Sequence, residues 1–321
     1  MKKKIKNILI AGGAGFIGVE VCHQIFKNFK NSKLYIIDKL TYSGNKIFLR
    51  EILKSKRVFF FKNDIININK LKSKIKNISV AINIAAESHV DRSFKSSILF
   101  TKTNTLGAHC FYQFCLEKKV DHIIHVSTDE VYGEKLKGMN YENDQLNPTN
   151  PYSASKAAAE IILNTYKKFI NNQTTIVRSN NIFGIRQYPE KLIPSCILSL
   201  IKNNRIKIHG NGKHVRTYLS VKDFGKAIVL IMKQKILGTV NLGSDERYQN
   251  REVAKKICKL MGKDPDKSII YTHDRPFNDQ RYAVSTKKIK KYGWRPKKKL
   301  LNELPSIINW YTNNYKFFKK S

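Results

Sequence analysis

Residues 6–18 read Lys6-Asn7-Ile8-Leu9-Ile10-Ala11-Gly12-Gly13-Ala14-Gly15-Phe16-Ile17-Gly18, a short apolar run that opens into closely spaced glycines. Residues 6–11 are expected to form a strand. Apolar residues then recur at helical spacing through Phe29, so the glycines fall in a turn between strand and helix. They satisfy G-x-x-G-x-x-G at 12, 15 and 18 and G-x-G-x-x-G at 13, 15 and 18. Without Cβ atoms the backbone can approach a pyrophosphate at the helix N-terminus, where free N–H groups and the helix dipole favour negative charge. Glycine spacing alone is weak evidence, because a purely structural turn uses the same residues. The next strand strengthens it. Leu34-Tyr35-Ile36-Ile37 ends at Asp38, about 20 residues past Gly18, where a carboxylate would accept hydrogen bonds from an adenosine ribose. A carboxylate there repels a 2′-phosphate, so NAD is expected rather than NADP, with the neighbouring Lys39 softening the preference.

Working outward, strand-like and helix-like segments alternate: strand 58–61, helix 67–76, strand 80–84, a long helix 95–119, strand 121–126, helix 151–171 and strand 175–178. Short β-branched runs without polar alternation fit strands buried on both faces of a parallel sheet. The expected fold is therefore α/β, a doubly wound (Rossmann) parallel sheet, with binding loops at the carboxyl ends of its strands. Those loops include Asp64-Ile65, Ala85-Ala86-Glu87-Ser88-His89, Ser127 to Glu130 and Ser179-Asn180-Asn181. Past Asn181 the pattern changes to short segments punctuated by glycine and proline. Residues 1–181 are read as the dinucleotide-binding domain and 182–321 as a smaller, mixed substrate lobe. The helix-like 221–232 and strand-like 239–242 are expected to rejoin the large sheet, so that about 217–243 interleaves the two.

Two stretches carry chemistry. Ser127-Thr128-Asp129-Glu130-Val131-Tyr132-Gly133 follows strand 121–126 without a turn signal, which sets two adjacent carboxylates and two hydroxyls at a crevice mouth. Alone, it is equally a polar strand end with Asp129 capping a helix. Tyr152-Ser153-Ala154-Ser155-Lys156 places a phenol and an ammonium four residues apart, on one helix face. A phenol is a poor base at neutral pH, but a nearby ammonium and a positive nicotinamide favour the phenolate, which could then take a proton from an alcohol as hydride leaves. Chance Y-x-x-x-K matches are common in a lysine-rich chain. Its place one βα unit after Ser127-Thr128 gives this one weight.

Composition narrows the class. The chain has 321 residues, 41% of them hydrophobic, enough for a large core. No apolar run approaches the roughly 20 residues needed to cross a bilayer, and Met1-Lys2-Lys3-Lys4 leads into a strand rather than a signal-peptide core. A soluble, cytoplasmic protein is expected. Five scattered cysteines without a C-x-x-C pair indicate neither a disulfide framework nor a zinc site, so no metal is expected. The net charge of +36 would attract polyanions. The lysines run from end to end, however, and no nucleic-acid-binding signature appears, so no specific nucleic acid is expected.

With these residues in view, the chain resembles the extended short-chain dehydrogenase/reductases, and within them the nucleotide-sugar 4,6-dehydratases. The resemblance is carried by G-G-A-G-F-I-G (12–18), D-K-L-T-Y-S-G-N (38–45), A-A-E-S-H-V-D-R-S (85–93), S-T-D-E-V-Y-G (127–133), N-P-Y-S-A-S-K (150–156), S-N-N (179–181), P-E-K-L-I-P (189–194) and R-P-F-N-D-Q-R-Y (275–282). It runs through nearly the whole chain. Related epimerases generally lack the adjacent Asp-Glu after Ser-Thr. The P-F-N-D-Q-R-Y version is similar to the dehydratase domain of UDP-rhamnose synthases, whereas bacterial dTDP-glucose enzymes usually read D-R-P-G-H-D there.

The resemblance implies conversion of an NDP-glucose to its 4-keto-6-deoxy product, with UDP-glucose favoured over dTDP-glucose, NAD as cofactor and a homodimer. It implies that Tyr152, supported by Lys156 and Thr128, assists oxidation at C4, that Glu130 removes the C5 proton, and that Asp129 protonates the departing C6 hydroxyl. Gly12, Gly15, Phe16, Ile17, Gly18, Asp38, Lys39, Asp64, Ile65, Ala85, Thr103, Tyr152, Lys156 and Asn181 would hold NAD. His89, Thr128, Asn180, Lys191, Leu192, Arg216, Asn250 and Arg275 would meet the nucleotide sugar. Lys191, Arg216 and Arg275 also suit a diphosphate on general grounds. A 4-epimerase or decarboxylase of the same fold is the alternative enzyme. A non-catalytic nucleotide- or nucleic-acid-binding protein is the alternative of another class.

Overall fold

Each buried β-branched run becomes a strand of one parallel sheet. In the computed structural model, which describes residues 5–170, 173–274 and 282–318, β1 (Asn7–Ala11), β2 (Lys33–Asp38), β3 (Val58–Lys62), β4 (Val80–Asn83), β5 (His122–Thr128), β6 (Thr174–Ser179) and β10 (Gly238–Leu242) pair in the order β10-β6-β5-β4-β1-β2-β3. From β1 the chain winds outward through β2 to β3. It then crosses back to place β4 on the other side of β1, so the order reverses between β1 and β4. A crevice at the carboxyl ends of those two strands is the expected ligand position in such a sheet.

The period-2 geometry of β1 sends Ile8 and Ile10 to one face and Leu9 and Ala11 to the other. On the first face Val19, Val21, Cys22 and Ile25 of the helix Phe16–Asn28 pack with Phe224, Ile228 and Ile231 of the helix Val221–Gln234. On the second, Phe111, Phe114 and Cys115 of the helix Gly107–Glu117 pack with Leu163 of the helix Pro151–Tyr166. Both faces are thus covered, which explains why the strands read as continuous apolar runs. The later part of the chain adds two small sheets. One has the order β11-β9-β7, from β7 (Asn181–Phe183), β9 (Val215–Ser220) and β11 (Arg247–Gln249); the other pairs β8 (Ile206–His209) with β12 (Ile269–Thr272). A separate apolar cluster beneath them joins Ile193, Ile197, Val253, Ile257, Leu304 and Tyr311.

The structure corrects two expected helices. The long helix 95–119 is four pieces: Val90–Lys95, Ser97–Phe100, a π-helical stretch Thr101–Leu106 and Gly107–Glu117. Ser96, at φ −143° and ψ 48°, ends the first. The π stretch, a feature that gathers at functional sites, turns Asn104 inward, where it receives the Glu87 N–H at 2.8 Å and donates to Ser155 Oγ at 2.9 Å. The helix expected over 67–76 is instead a 3-10 run, Ile65–Leu71, capped by Asp64 and kinked at Asn67. Its asparagines compete for backbone partners and do not sustain an α-helix. The expected end of the helix at Asn171 lies outside the described residues; the α-helix closes at Tyr166 and continues as 3-10 turns to Ile170. Among the described residues no helix is long and apolar enough to cross a membrane.

Candidate active site

A cleft of about 610 Å³ opens over the carboxyl ends of β1 and β4, within the range of small-molecule sites. One end is the glycine turn. Gly12 has φ 78°, and a Cβ there would lie 2.5 Å from the Ala85 backbone nitrogen, so the turn and the β4 loop touch through bare backbone. Asp38, at the end of β2, receives the Ala14 N–H on Oδ2 and the Leu40 N–H on Oδ1, both at 2.8 Å. Burial pushes its carboxyl above the usual range and these backbone donors pull against it. Lys39 pairs with Asp64 at 2.8 Å.

At the other end β5 delivers Thr128 to the wall. Its Oγ1 receives the Glu130 N–H at 3.2 Å and donates to Asp129 Oδ1 at 3.3 Å. A 3-10 turn, Asp129–Tyr132, follows at once. Glu130 lines the cleft and receives Asn150 Nδ2 on Oε2 at 3.3 Å. Asp129 does not face the cleft as its neighbour does. The turn folds it inward to 2% exposure, where Asn180 Nδ2 donates to its Oδ2 at 2.6 Å. Gly243 makes room for that asparagine, since a Cβ there would fall 2.2 Å from Asn180 Oδ1. Burial first, and the Glu130 charge second, push the Asp129 carboxyl up to about 7. A carboxyl poised there can hold and release a proton near neutrality.

The helix Pro151–Tyr166 begins with an Asn150–Ser153 capping box and brings Tyr152 and Lys156 under Glu130. Lys156, 2% exposed, donates from Nζ to the Val126 carbonyl at 2.6 Å, and burial lowers its ammonium to about 8. The phenol of Tyr152 departs from the sequence expectation. Burial and then the charge of Glu130 push it above its ordinary value, with Asp129 adding to them and Thr128 opposing. In this site the phenolate is disfavoured, and a further positive charge is needed to reach it.

Of the site residues predicted from sequence, Gly12, Gly15, Phe16, Ile17, Gly18, Asp38, Lys39, Asp64, Ile65, Ala85, Thr103 and Asn181 line one stretch of this cleft. His89, Thr128, Glu130, Tyr152, Lys156, Asn180, Lys191, Leu192, Arg216 and Asn250 line the remainder, and Asp129 stands one layer behind. Arg275 and the segment 275–281 lie outside the described residues. Lys191 donates to the Ser88 carbonyl at 2.6 Å, and Arg216 lies 5.6 Å from the Tyr282 ring.

Sequence reasoning missed a polar group on the same wall. Tyr42 donates to Glu190 at 3.1 Å, Arg92 reaches Glu87 at 3.5 Å and Glu190 at 3.9 Å, and the Arg92 guanidinium stacks 3.9 Å from the Tyr42 ring. All four lie inside quoted motifs. Their signal was an unusual density of charge in otherwise short loops.

The site has room for an extended anionic ligand, a backbone cradle at its glycine end and proton-transfer groups at its other end. This combination fits a dinucleotide beside a second ligand. Among the described residues no group of three or more His, Cys, Asp or Glu is arranged to hold a metal ion.

Known proteins share this fold. The chain is 39% identical over 318 residues to a trifunctional UDP-glucose 4,6-dehydratase/UDP-4-keto-6-deoxy-D-glucose 3,5-epimerase/UDP-4-keto-L-rhamnose-reductase of Arabidopsis thaliana, covering 97% of this chain and 48% of that one. It thus spans about half the length of that plant relative. It is 37% identical over 361 residues to a dTDP-D-glucose 4,6-dehydratase of Dictyostelium discoideum, covering 98% of this chain and 83% of the other. Among solved structures, the dTDP-glucose 4,6-dehydratase DesIV of Streptomyces venezuelae, with NAD bound, superposes with a TM-score of 0.94 at 31% identity, over 98% of this chain and 99% of that one. Residues 9–304 match the GDP-mannose 4,6 dehydratase family, and the chain belongs to that family.

Proposed function

We propose that this chain is an NAD-dependent NDP-glucose 4,6-dehydratase, a hydro-lyase, with UDP-glucose preferred over dTDP-glucose. One observation carries the reading: Asp129, Glu130 and Tyr152 converge where the cleft meets the end of β5, with Asp129 shielded and titrating near neutrality. A plain alcohol oxidation needs the tyrosine alone. A second acid and base beside it suit removal of water.

NAD held along the glycine turn and Asp38 would supply a hydride acceptor for C4 of the sugar and a hydride donor for C6. Tyr152 takes the C4 hydroxyl proton, with the Lys156 ammonium and the Thr128 hydroxyl offsetting the cost of its phenolate. The ketone acidifies C5–H, and Glu130 accepts that proton. Asp129 releases its proton toward the cleft over the Thr128 hydroxyl, so the C6 hydroxyl leaves as water. Glu130 then gives its proton back to C5. The proton gained by Tyr152 makes good, through solvent, the one lost from Asp129, so atoms and electrons balance without an outside oxidant, and the product is lighter than the substrate by one water. Asp38 would hold the adenosine ribose and disfavour a 2′-phosphate, hence NAD over NADP. Residues 182–321, apart from about 217–243, form the substrate lobe, with Lys191, Arg216 and Arg275 at the diphosphate.

The UDP preference is supported by the 39% identity to plant UDP-glucose enzymes and by Pro276-Phe277-Asn278-Asp279-Gln280-Arg281-Tyr282. Purified protein given UDP-glucose and dTDP-glucose in parallel is expected to convert both to 4-keto-6-deoxy products by mass, the uridine sugar with the higher kcat/KM. Faster turnover of dTDP-glucose would overturn the preference; a C4 epimer of unchanged mass, or a product that has lost carbon dioxide, would overturn the reaction.

The active unit is a homodimer. Phe94, Ile98, Leu106 and Ile161 are exposed on elements that pack beside one another, Ile98 to 79%, and exposed apolar side chains on adjoining elements suit a two-fold partner. Light scattering at twice 37.1 kDa is the expected result, and a stable species at the single-chain mass would overturn it. Free cysteines, four of the five buried, support a reducing, cytoplasmic setting.

A further inference from the structure

The helix Pro151–Tyr166 carries Tyr152, Lys156 and Glu160 at successive i, i+4 positions, so the three side chains share one face. Tyr152 and Lys156 have roles above, but Glu160 has none. It is wholly buried, and a buried carboxylate is costly unless charges and hydrogen bonds answer it. Arg178 of β6 does so, donating from Nε to Oε1 at 3.2 Å and from Nη2 to Oε2 at 2.6 Å. The same guanidinium lies 4.5 Å from the ring of Tyr132, the last residue of the turn that holds Asp129 and Glu130. The pair therefore ties the helix that carries the lysine to the acid turn. On Lys156 burial works against the ammonium and Glu160 works for it.

We propose that Glu160, locked in place by Arg178, is a positioning residue whose carboxylate keeps the buried Lys156 side chain an ammonium under Tyr152. This rests on the reading of Lys156 as the cation that supports the tyrosine. Glu160 touches neither ligand and acts through Lys156. The other groups around that lysine do not replace it. His125 of β5 is kept neutral by burial and by Lys156 itself, with Nδ1 2.8 Å from the Tyr112 hydroxyl. Asp129 and Glu130 act on Tyr152 from the turn. On the helices packed alongside, Arg92 is 3.5 Å from Glu87, Glu117 pairs with Lys72 at 2.6 Å and His109 meets Tyr166 at 2.8 Å.

The test follows the lysine directly. In protein labelled with 13Cε-lysine, the Lys156 resonance, assigned by its loss in Lys156→Met, is expected to titrate near 8 in the parent and measurably lower in Glu160→Gln, because loss of a nearby opposite charge disfavours the ammonium. Glu160→Asp should recover most of the shift. Turnover of Glu160→Gln should fall about tenfold at alkaline pH and approach the parent toward acid pH, whereas loss of mere packing would lower it equally throughout. Should the single variant leave Arg178 uncompensated and unfold, Glu160→Gln/Arg178→Gln removes both charges together and is expected to show a displacement of the same sign but smaller, since the guanidinium had opposed the ammonium. A Lys156 midpoint unmoved in the folded variants would overturn the inference. Failure of the underlying reading looks different: Lys156→Met would then turn over as fast as the parent.

Discussion

Gly18→Ala is expected to lose NAD binding and stability together, whereas Gly15→Ala loses only the binding. Gly18 lies in the first turn of the helix Phe16–Asn28. A Cβ there would fall 2.0 Å from the Gly12 carbonyl oxygen and 2.7 Å from Gly13 Cα. Both are backbone atoms, and the turn cannot yield cheaply. Gly12 N–H donates to the Ile37 carbonyl at 2.8 Å and Ala14 N–H to Asp38 at 2.8 Å, so moving the turn breaks its ties to β2. Overpacking of this kind costs about 1–3 kcal/mol, and with the cradle displaced NAD affinity should drop by at least about 100-fold, roughly 2.7 kcal/mol of lost contacts. At Gly15 the nearest atom to an added Cβ is Gly12 O at 3.5 Å, an ordinary contact. The fold accommodates alanine there, at a cost of about 0.5–1 kcal/mol because glycine ranks above alanine as an N-cap. The new methyl instead occupies the cleft wall where backbone N–H groups would meet the pyrophosphate. Calorimetric titration with NAD and thermal melting separate the two variants. Normal NAD affinity in Gly15→Ala would remove the glycine turn from the cofactor site.

That contrast also shows what was legible in the chain. A parallel sheet covered on both faces writes itself as unbroken apolar runs, so the strands from β1 to β6 and β10 were readable within a residue or two, and the Gly12–Gly18 spacing placed the helix start. Other features depend on partners far away in sequence. Asp129 reads as a crevice carboxylate, but Asn180, 51 positions later, draws it inward. Glu160 reads as an ordinary helix residue until Arg178 of β6 reaches it. The three-residue strands β7 and β11 are too short to carry a pattern. The helix expected at 95–119 broke because apolar periodicity survives a π turn, and what forces the turn is the burial of Asn104 between Glu87 and Ser155. Tyr42, Arg92 and Glu190 carry no signal beyond the charge density of short loops; their meeting with one another and Glu87 on one wall of the cleft marks them.

The carboxyl pair behind Thr128 leads to the second large effect. Glu130→Gln is expected to keep its fold and NAD affinity and to lose product formation by about a thousandfold or more, within the range assigned to a lost general base. Glutamine keeps the side-chain shape and an oxygen for Asn150 Nδ2, which now stands 3.3 Å from Glu130 Oε2, so structural damage should be small. It cannot accept the C5 proton. Exchange of solvent deuterium into C5 should vanish while oxidation at C4 persists, seen as accumulating reduced nicotinamide absorbance. The neighbouring acid gives this prediction a pH dependence. Asp129 titrates near 7, above its ordinary value, through burial and then the charge of Glu130; its acid form is present below that pH and lost above it. Turnover of the parent should therefore decline as pH rises through about 7, and Asp129→Asn, which cannot give up a proton, should abolish water loss on both sides. Removing the Glu130 charge relieves Asp129, so any residual turnover of Glu130→Gln should decline at a lower pH than the parent. A Glu130→Gln enzyme with near-normal turnover, or one whose decline stays where the parent's is, would separate the two carboxyls and leave Asp129 a buried structural partner of Asn180.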